Sequence, residues 1–238
     1  MATLINLVNI LFDSKASTQD LPRIIDKYIL NNKIFIIQSF TQYKGKGTHN
    51  RKWYSPKGNL YFTIILKRKF KSIINMNVFV CYLIHKYFEN KLKISLQYKW
   101  PNDLYYQDKK IIGILNQNEI TGNLCKFKIG IGININNNIK NSNFKSISLK
   151  DIIKKKINIL DFSNDIQTYL SQNILKIFLI KDIVNYLNRY LLLTNTKYKI
   201  KYQNKTYKNI SILNLNYNLT LKIKIMNNII NIMYGELE

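Results

Sequence analysis

Apolar residues in the first half of the chain occur in short runs that polar segments separate. Strand-length runs lie at residues 1–12, 34–40, 58–66, 95–98, 104–106, 111–116 and 126–135. Helical spacing predicts a helix over residues 21–30, after a polar turn at residues 13–20, and a longer core helix over residues 73–88. Because the last four strands follow one another closely, the pattern favours a mixed or largely antiparallel sheet over a doubly wound βαβ fold.

The pattern changes in the second half of the chain. A lysine-rich link at residues 150–156 precedes a helical region over residues 159–193. Short alternating segments then lie at residues 197–202, 210–213, 219–226 and 229–234. Asparagine-containing turns separate these segments, which is typical of a small β-barrel-like domain. We therefore predict an α+β domain over residues 1–192 and a small β domain over residues 193–238.

The composition of the 238 residues is strongly basic, with a formal net charge of +24 and a pI near 9.9. Such a charge suits a polyanionic partner, because lysine and arginine neutralise phosphates. However, lysine, asparagine, isoleucine and tyrosine are over-used in every segment, and all four have AT-rich codons. Nucleic-acid-binding proteins usually gather their basic residues on one face or helix. Codon bias is the favoured interpretation, and a nucleic-acid surface is the alternative.

Cysteine, histidine and hydropathy limit the class of protein. Cys81 and Cys125 each lie in an apolar stretch, which is typical of buried thiols in a reducing compartment. With only His49 and His85 available, no Cys/His cluster has the spacing of zinc ligands. No segment has the roughly 18 to 20 uninterrupted apolar residues of a membrane span, and the N-terminus lacks the features of a signal peptide. We expect a soluble, cytoplasmic protein.

One polar turn between two predicted strands has an unusual composition. It reads Lys99-Trp100-Pro101-Asn102-Asp103, and Lys109-Lys110-Ile111-Ile112-Gly113-Ile114-Leu115 follows after a short gap. Proline has no backbone donor and restricts the preceding residue to extended conformations. The Trp-Pro pair should therefore close one strand and hold Asn102 and Asp103 at its exposed end.

The chain also has one basic loop that glycines interrupt, around Gly45-Lys46-Gly47 and Arg51. Glycine lets the main chain approach a ligand closely, and the two cations can neutralise phosphate or carboxylate oxygens. The loop is neither a Walker loop nor a Rossmann fingerprint. On these residues alone, an ordinary surface turn is an equal alternative.

Taken in order, these segments and several others resemble the catalytic domain of biotin protein ligases. The quoted segments are Ser17-Thr18-Gln19, Gln42, the Gly45–Arg51 loop with Lys52-Trp53-Tyr54-Ser55-Pro56, Gly58-Asn59-Leu60-Tyr61, the Trp-Pro-Asn-Asp turn, Lys110 to Leu115, and Gly130-Ile131-Gly132-Ile133-Asn134-Ile135-Asn136. The closing Tyr234-Gly235-Glu236-Leu237 resembles the end of that family's small SH3-like domain. Lipoate ligases share the fold but usually lack the Lys-Trp-Pro-Asn-Asp and Gly-Ile-Gly-Ile-Asn motifs.

The resemblance implies a class II synthetase-like catalytic domain, a C-terminal SH3-like β-barrel and a two-step ligase reaction. Biotin would attack the α-phosphate of ATP, bound with Mg²⁺, and form biotinyl-5′-AMP and pyrophosphate. A lysine of a biotin carboxyl carrier protein or domain, as in acetyl-CoA carboxylase, would then accept the biotinyl group. Both steps concentrate negative charge, so catalysis would come from positioning and electrostatic stabilisation.

The resemblance also assigns roles to individual residues. The catalytic cations would be Lys110, Lys46 and Arg51. The biotin pocket would comprise Ser17, Thr18, Gln19, Gln42, Lys46, Gly47, Thr48, Lys110 and Gly113. The nucleotide or its Mg²⁺ would contact Lys46, Arg51, Trp53, Asn102, Asp103 and Asn134. Each residue also has a structural alternative: Trp53 and Trp100 as core aromatics, Asn134 as a strand-end turn residue, Asp103 as a turn cap.

The basic loop departs from the family pattern, which usually reads Gly-Arg-Gly-Arg-x-Gly-Arg. Thr48 stands where an arginine helps to order the loop over the adenylate, and Lys46 replaces a planar bidentate donor with a point charge. This departure predicts looser retention of biotinyl-AMP and more unspecific labelling. The chain begins at the catalytic domain, so we expect no N-terminal DNA-binding domain. Family members often pair through the central sheet, which allows a homodimer.

Two alternatives to a biotin ligase stay open. A lipoate or octanoyl ligase would have the same fold, and the Trp-Pro-Asn-Asp motif together with competition between the two acids distinguishes it. A basic RNA-binding protein would account for the charge and the aromatic content. It predicts salt-sensitive RNA binding without ATP–pyrophosphate exchange.

Overall fold

The computed structural model describes residues 6–20, 28, 33–69, 75–139, 145–176, 178–192, 198–202, 205–233 and 236–237. Apart from residue 28, the predicted helix over residues 21–30 lies outside them. Residues 234 and 235 of the closing motif also lie outside the described residues. The division between residues 192 and 193 stays a prediction, because residues 193–197 are not described.

A seven-stranded mixed sheet forms the larger part of the molecule. Its strands are β1 (Asn6–Lys15), β2 (Lys33–Gln42), β3 (Leu60–Lys69), β4 (Gln97–Lys99), β5 (Asp103–Tyr106), β6 (Lys109–Thr121) and β7 (Leu124–Ile133). They lie in the order β1-β2-β3-β7-β6-β5-β4. The β1–β2 pair is parallel and the other neighbours are antiparallel. The α+β class and the mixed sheet are confirmed.

Several strands end later than the apolar runs predict, and β1 and β6 are examples. β1 continues through Lys15 into the predicted polar turn, because its backbone pairs with β2 as far as Lys15 opposite Gln42. β6 continues to Thr121, which lies opposite Leu124 in the hairpin with β7. Backbone pairing extends these strands past the side chains that pack on a core, so hydropathy alone does not give where they end.

The described residues of this part of the chain form four α-helices. They are α1 (Met76–Tyr87), α2 (Leu149–Ile153), α3 (Ile159–Asn173) and α4 (Ile180–Asn188). A π-helical turn, Phe88–Leu92, continues α1. The helical region predicted over residues 159–193 is thus two helices, and α2 lies partly within the predicted lysine-rich link. The α1 helix is buried along nearly its whole length and contacts β5, β6, α3 and α4.

The C-terminal part of the chain is a five-stranded antiparallel sheet, here called the C-terminal unit. Its strands are β8 (Tyr198–Tyr202), β9 (Lys205–Leu215), β10 (Leu221–Ile225), β11 (Asn228–Ile232) and β12 (Glu236–Leu237). They lie in the order β11-β10-β9-β8-β12. β9 is longer than the predicted strand at residues 210–213 because it pairs with both β8 and β10. The SH3-like barrel stays a prediction.

The C-terminal unit packs directly on the larger part. Ile200, Leu221 and Ile223 belong to the same apolar core as the buried residues of the seven-stranded sheet. Asn188 at the end of α4 donates to the Leu215 carbonyl at 2.9 Å and accepts from the Leu215 N–H at 2.7 Å. The two parts therefore share one core and are joined by specific hydrogen bonds.

Cys81 and Cys125 are both buried free thiols, as predicted. Burial raises the pKa of Cys81 well above the ordinary value, so its thiol stays protonated. Among the helices that the structure describes, none has the length and apolarity needed to cross a lipid bilayer.

Candidate active site

A cavity of about 900 Å³ lies over β6 and β7. Thirteen of the predicted site residues line it: Ser17, Thr18, Gln19, Gln42, Lys46, Gly47, Thr48, Arg51, Trp53, Asn102, Asp103, Lys110 and Gly113. These residues come from five separate segments of the chain. The fold therefore brings together the motifs that the sequence analysis selected.

The turn Ser17–Gln19 forms one end of the cavity and is buried, although all three side chains are polar. The Thr18 N–H donates to Gln42 Oε1 at 2.7 Å, and the Thr63 hydroxyl donates to the Thr18 hydroxyl at 2.8 Å. Gln19 Nε2 donates to the Leu115 carbonyl at 3.0 Å. Gln19 Oε1 is buried and has no hydrogen-bond partner within the described chain. This end can thus accept a ligand that presents a polar group to Gln19.

The basic loop closes on itself above the cavity. The Trp53 N–H donates to the Gly45 carbonyl at 2.9 Å, and the Gly47 N–H donates to the Arg51 carbonyl at 2.7 Å. The Arg51 guanidinium donates to the Thr48 hydroxyl at 2.8 Å and to the Thr48 carbonyl at 3.2 Å. Lys46 forms an ion pair with Asp20, next to the Ser17–Gln19 turn. Thr48 therefore holds Arg51 within the loop.

The Trp53 indole lies flat over two glycines of the sheet. A β-carbon added at Gly113 or at Gly132 would stand 2.6 Å from the indole ring. The Trp53 Nε1 is buried without a hydrogen-bond partner within the described chain. The glycines thus provide a flat floor on which an aromatic ring can lie against the backbone.

Lys110 forms part of the cavity wall. Its Nζ lies 2.6 Å from Asp103 Oδ2 and 5.0 Å from the centroid of the Trp53 ring. The side chains of Lys110 and Asp103 are 12% and 16% exposed, so their ion pair is largely shielded from water. Partial burial makes the electrostatic field of this ammonium stronger than that of a fully exposed lysine.

A β-bulge gives Lys110 its direction. β5 pairs Leu104 with Ile112 but Tyr105 with Lys110, so Ile111 is an extra residue opposite β5. Strict alternation would point Lys110 and Gly113 to opposite faces of the sheet. The extra residue resets the alternation, and both Ile111 and Ile112 are fully buried. Lys110 and Gly113 consequently face the same cavity.

The Lys99–Asp103 turn is held against β6. The Asn102 side chain donates to the Ile114 carbonyl at 2.7 Å, and the Ile114 N–H donates to the Asn102 carbonyl at 2.9 Å. Trp100 is 1% exposed, and its indole N–H donates to the Leu219 carbonyl of the C-terminal unit at 3.4 Å. The structural alternative for Trp100 as a core aromatic is therefore confirmed.

Asn134 is the predicted site residue that does not line the cavity. It is 1% exposed, and its side-chain amide donates to the Lys110 carbonyl at 3.3 Å. Its backbone N–H donates to the Ile111 carbonyl at 2.9 Å. The structure thus places Asn134 behind Lys110, where it supports the bulged segment.

Other residues of the cavity had no role assigned from the sequence, although several of them belong to the quoted motif segments. They include Lys52, Lys99, Tyr105, Leu115, Gly130, Gly132 and Lys201. The two glycines had a detectable signal, because glycines two positions apart in a strand lie on one face. Lys201 had none, since it comes from β8 in the C-terminal unit.

The charge of the lining favours an anionic ligand. Six cationic side chains line the cavity, namely Lys46, Arg51, Lys52, Lys99, Lys110 and Lys201, against the carboxylate of Asp103. Such a concentration of one sign of charge in a cleft attracts oppositely charged ligands. Asp103 Oδ1, like Gln19 Oε1 and Trp53 Nε1, is buried without a partner within the described chain. A ligand with both negative charge and polar groups fits these features.

Residues 29–134 match the biotin/lipoate A/B protein ligase family. Over 98 residues, 40% of this chain, the sequence is 35% identical to the bifunctional ligase/repressor BirA of Escherichia coli. Over 111 residues, 43% of this chain, it is 31% identical to the biotin–protein ligase of Homo sapiens. The matches cover 30% and 15% of those two proteins, so the chain spans less than a third of the length of these curated relatives.

Solved structures have the same fold over nearly the whole chain. The biotin protein ligase of Aquifex aeolicus in complex with biotin and ATP has a TM-score of 0.79 and 22% identity, covering 97% of each chain. The biotin protein ligase of Leishmania major in complex with biotinyl-5-AMP has a TM-score of 0.66 and 21% identity, covering 96% of this chain and 99% of the other.

Proposed function

We propose that this chain, whose residues 29–134 carry a domain of the biotin/lipoate A/B protein ligase family, is a biotin protein ligase. It would activate biotin with ATP and transfer the biotinyl group to a lysine of a biotin carboxyl carrier protein or domain, such as that of acetyl-CoA carboxylase. One observation carries the proposal: the Ser17–Gln19 turn, the basic loop and Lys110 line a single cationic cavity.

In the first step, a carboxylate oxygen of biotin forms a bond to the α-phosphorus of ATP. The bond from that phosphorus to the bridging oxygen breaks, and pyrophosphate leaves with the electron pair. A carboxylic acid is already ionised at neutral pH, so this step needs no general base. It needs cations that stabilise the charge on the α-phosphate, and Lys110 and Arg51 supply them. Asp103 positions Lys110 through their 2.6 Å ion pair.

The two ends of the cavity have different chemistry, which suits the two substrates. The Ser17–Gln19 turn offers polar groups for the ureido ring of biotin. The Trp53 ring, which lies against the glycine floor, offers a flat apolar surface for adenine. Lys110, whose Nζ lies 5.0 Å from the centroid of the Trp53 ring, would hold the carboxylate and the α-phosphate where they meet.

Mg²⁺ enters with ATP as part of the substrate. The carboxylate of Asp103 and the amide oxygen of Asn102 are oxygen ligands of the kind that Mg²⁺ prefers. Asp103 Oδ1 has no hydrogen-bond partner within the described chain. These two residues would contact the nucleotide or its metal ion.

In the second step, the ε-amine of the acceptor lysine attacks the acyl carbon of biotinyl-5′-AMP. The bond from that carbon to the phosphate oxygen breaks, AMP leaves, and the amine loses a proton. The identity of the acceptor, a cytoplasmic location and a homodimer stay predictions.

Biotin-dependent ATP–pyrophosphate exchange with the purified chain tests the proposal. We expect exchange with biotin and a loss of about 10² to 10³-fold in Lys110→Ala, the range for removing one preorganised electrostatic group. Lys109→Ala is the matched control, because Lys109 is exposed and does not line the cavity.

Lipoate and octanoate are tested in parallel with biotin. Exchange with one of these acids but not with biotin would identify the lipoate or octanoyl ligase alternative. No exchange with any acid, together with salt-sensitive RNA binding, would contradict the ligase and favour the RNA-binding alternative.

A further inference from the structure

Ser55 lies beside the cavity but does not line it. It is 4% exposed, and its hydroxyl makes two hydrogen bonds. The hydroxyl donates to the Trp53 carbonyl at 3.0 Å and accepts from Gln42 Nε2 at 2.9 Å. The Gln42 N–H also donates to the Ser55 carbonyl at 3.2 Å. Ser55 therefore joins the end of β2 to the residue that forms the aromatic surface of the cavity.

The other end of the Gln42 amide reaches the opposite side of the cavity. Gln42 Oε1 accepts the Thr18 N–H at 2.7 Å. A continuous series of hydrogen bonds thus runs from the Thr18 N–H through Gln42 and Ser55 to the Trp53 carbonyl. We call this series the Thr18–Trp53 chain. It connects the turn assigned to biotin with the residue assigned to adenine.

Close packing around Gly45 restricts movement within this chain. A β-carbon at Gly45 would stand 2.2 Å from the Trp53 carbonyl oxygen, 2.8 Å from Ser55 Oγ and 3.3 Å from Gln42 Nε2. The backbone of Gly45 therefore lies directly against three members of the chain. In such close packing, a shift of one group displaces its neighbours.

We infer that Ser55 is a positioning residue that couples the Ser17–Gln19 turn to Trp53, so that ordering of one end of the cavity orders the other. The inference rests on the proposed function for its substrates. Coupling between two binding sites is reciprocal, so biotin would favour ATP binding by the same factor as ATP favours biotin binding. Loss of the Ser55 hydroxyl would weaken the binding of both substrates, although Ser55 does not line the cavity.

Ser55→Ala tests the inference by two measurements. Hydrogen–deuterium exchange without any ligand should show faster exchange of the Thr18 amide, by about fivefold for one lost neutral hydrogen bond. Pyrophosphate exchange should show a KM raised by about fivefold for both biotin and ATP, with kcat less affected. Ser55→Thr, which keeps the hydroxyl, should restore both values.

Ser39→Ala is the matched control. The Ser39 hydroxyl is also buried and donates to a backbone carbonyl two residues away, that of Thr41, at 2.6 Å. It should lower stability without raising either KM or speeding exchange at Thr18.

Faster exchange confined to residues 53–57 of Ser55→Ala, or equal KM changes in Ser39→Ala, would overturn the inference. If the unsubstituted chain catalyses no pyrophosphate exchange, the proposed function fails. The hydrogen–deuterium result then decides by itself whether Ser55 couples the turn to Trp53.

Discussion

Gly130 and Gly132 lie two residues apart on β7 and serve different ends of the cavity. A β-carbon at Gly130 would stand 2.2 Å from Gln19 Nε2, whereas one at Gly132 would stand 2.6 Å from the Trp53 indole. The intervening Ile131 points to the core and is 3% exposed. The Gly-Ile-Gly pattern therefore places one apolar side chain in the core. On the opposite face of the strand, the two glycines leave room for the side chains of Gln19 and Trp53 to lie against the backbone.

Single alanine substitutions at these glycines should affect the binding of biotin and of ATP to different extents. In Gly130→Ala the methyl group displaces Gln19, so we expect the larger rise, about tenfold, in the KM for biotin. In Gly132→Ala it displaces Trp53, so the larger rise should be in the KM for ATP. Steady-state pyrophosphate exchange measures both constants, and each variant is the control for the other. If the rise in the KM for biotin relative to that for ATP were the same in both variants, the assignment of the two ends to the two substrates would be contradicted.

The departure from the family pattern at Thr48 predicts that the basic loop retains biotinyl-AMP loosely. The Thr48 hydroxyl and carbonyl accept hydrogen bonds from the Arg51 guanidinium. Thr48→Arg adds a planar bidentate donor toward phosphate, so we expect biotinyl-AMP to dissociate about tenfold more slowly, with less labelling of non-target lysines. A filter-binding chase measures the dissociation.

Thr48→Val is the control, because it removes the hydroxyl without adding charge. An unchanged dissociation rate in Thr48→Arg would show that the departure from the family pattern has no effect on retention.

Most of the residues of the site could be selected from the sequence because they belong to short motifs with specific composition. Their individual functions were harder to predict. Asn134 and Trp100 belong to such motifs, yet their side chains support the bulge and the core. Gln42 was assigned to biotin, and both ends of its amide are engaged within the protein. Hydrogen-bond partners of this kind depend on tertiary contacts that a motif does not contain.

At the scale of the elements, a partly buried polar cluster joins α1 to α4. His85 on α1 contacts the Leu96 carbonyl at 2.7 Å and the Tyr186 hydroxyl at 2.9 Å. Tyr186 donates to Glu89 at 2.6 Å, and Tyr190 donates to the same carboxylate. Burial lowers the pKa of His85, and the hydrogen bonds from Tyr186 and Tyr190 lower the pKa of Glu89.

Both shifts predict loss of stability in acid. Each group binds a proton more weakly in the folded state than in the unfolded state, so protonation favours unfolding. The contribution of His85 to the free energy of unfolding is complete above about pH 6.5, and that of Glu89 above about pH 4.3, which are their ordinary pKa values. Each contribution is lost as the pH falls below that value. Chemical unfolding between about pH 7 and pH 3 measures the free energy of unfolding across both ranges.

Glu89→Gln should make the free energy of unfolding less dependent on pH in the most acidic range. The dependence near pH 6, which is assigned to His85, should stay unchanged. An unchanged slope below about pH 4.3 in Glu89→Gln would contradict the assignment to Glu89.

The bulge in β6 is the element that sequence reasoning could not predict. The run Lys109 to Leu115 predicts a strand, and alternation alone would turn Lys110 away from Gly113. The strand itself was predicted correctly, but its pairing with β5 determines which residue is extra. Register of this kind depends on the partner strand.

At the scale of the whole molecule, the C-terminal unit and the seven-stranded sheet share one core. The order of elements and the α+β class followed from the spacing of apolar runs. The parallel β1–β2 pair and the place of Lys201 in the cavity depend on contacts between distant segments. Hydropathy patterns carry no information about such pairs.

The shared core predicts a single unfolding transition, since neither part can expose its apolar surface alone without cost. Asn188→Ala removes both hydrogen bonds to Leu215 and should lower the free energy of unfolding by about 1 to 3 kcal/mol. Urea unfolding followed by tryptophan fluorescence, with Trp100 at the junction, and by circular dichroism measures it.

Tyr217→Phe is the control, because the exposed Tyr217 hydroxyl makes only a 3.2 Å contact with Asn185 in the same region. Two separate transitions in the unsubstituted chain would contradict the shared core.

The pairing of β3 with β7 has a consequence for how the chain acquires its activity. These strands pair over their full lengths although residues 70–123 separate them. The Ser17–Gln19 turn and the basic loop precede residues 70–123, Lys110 and Gly113 lie within them, and Gly132 follows them. Pairing across such a long separation is slow to form during folding. We therefore expect the ability to bind ligands to arise late in folding, when β3 and β7 pair. A ligand that contacts residues from both halves of the cavity would bind only the folded chain and would shift the folding equilibrium toward it.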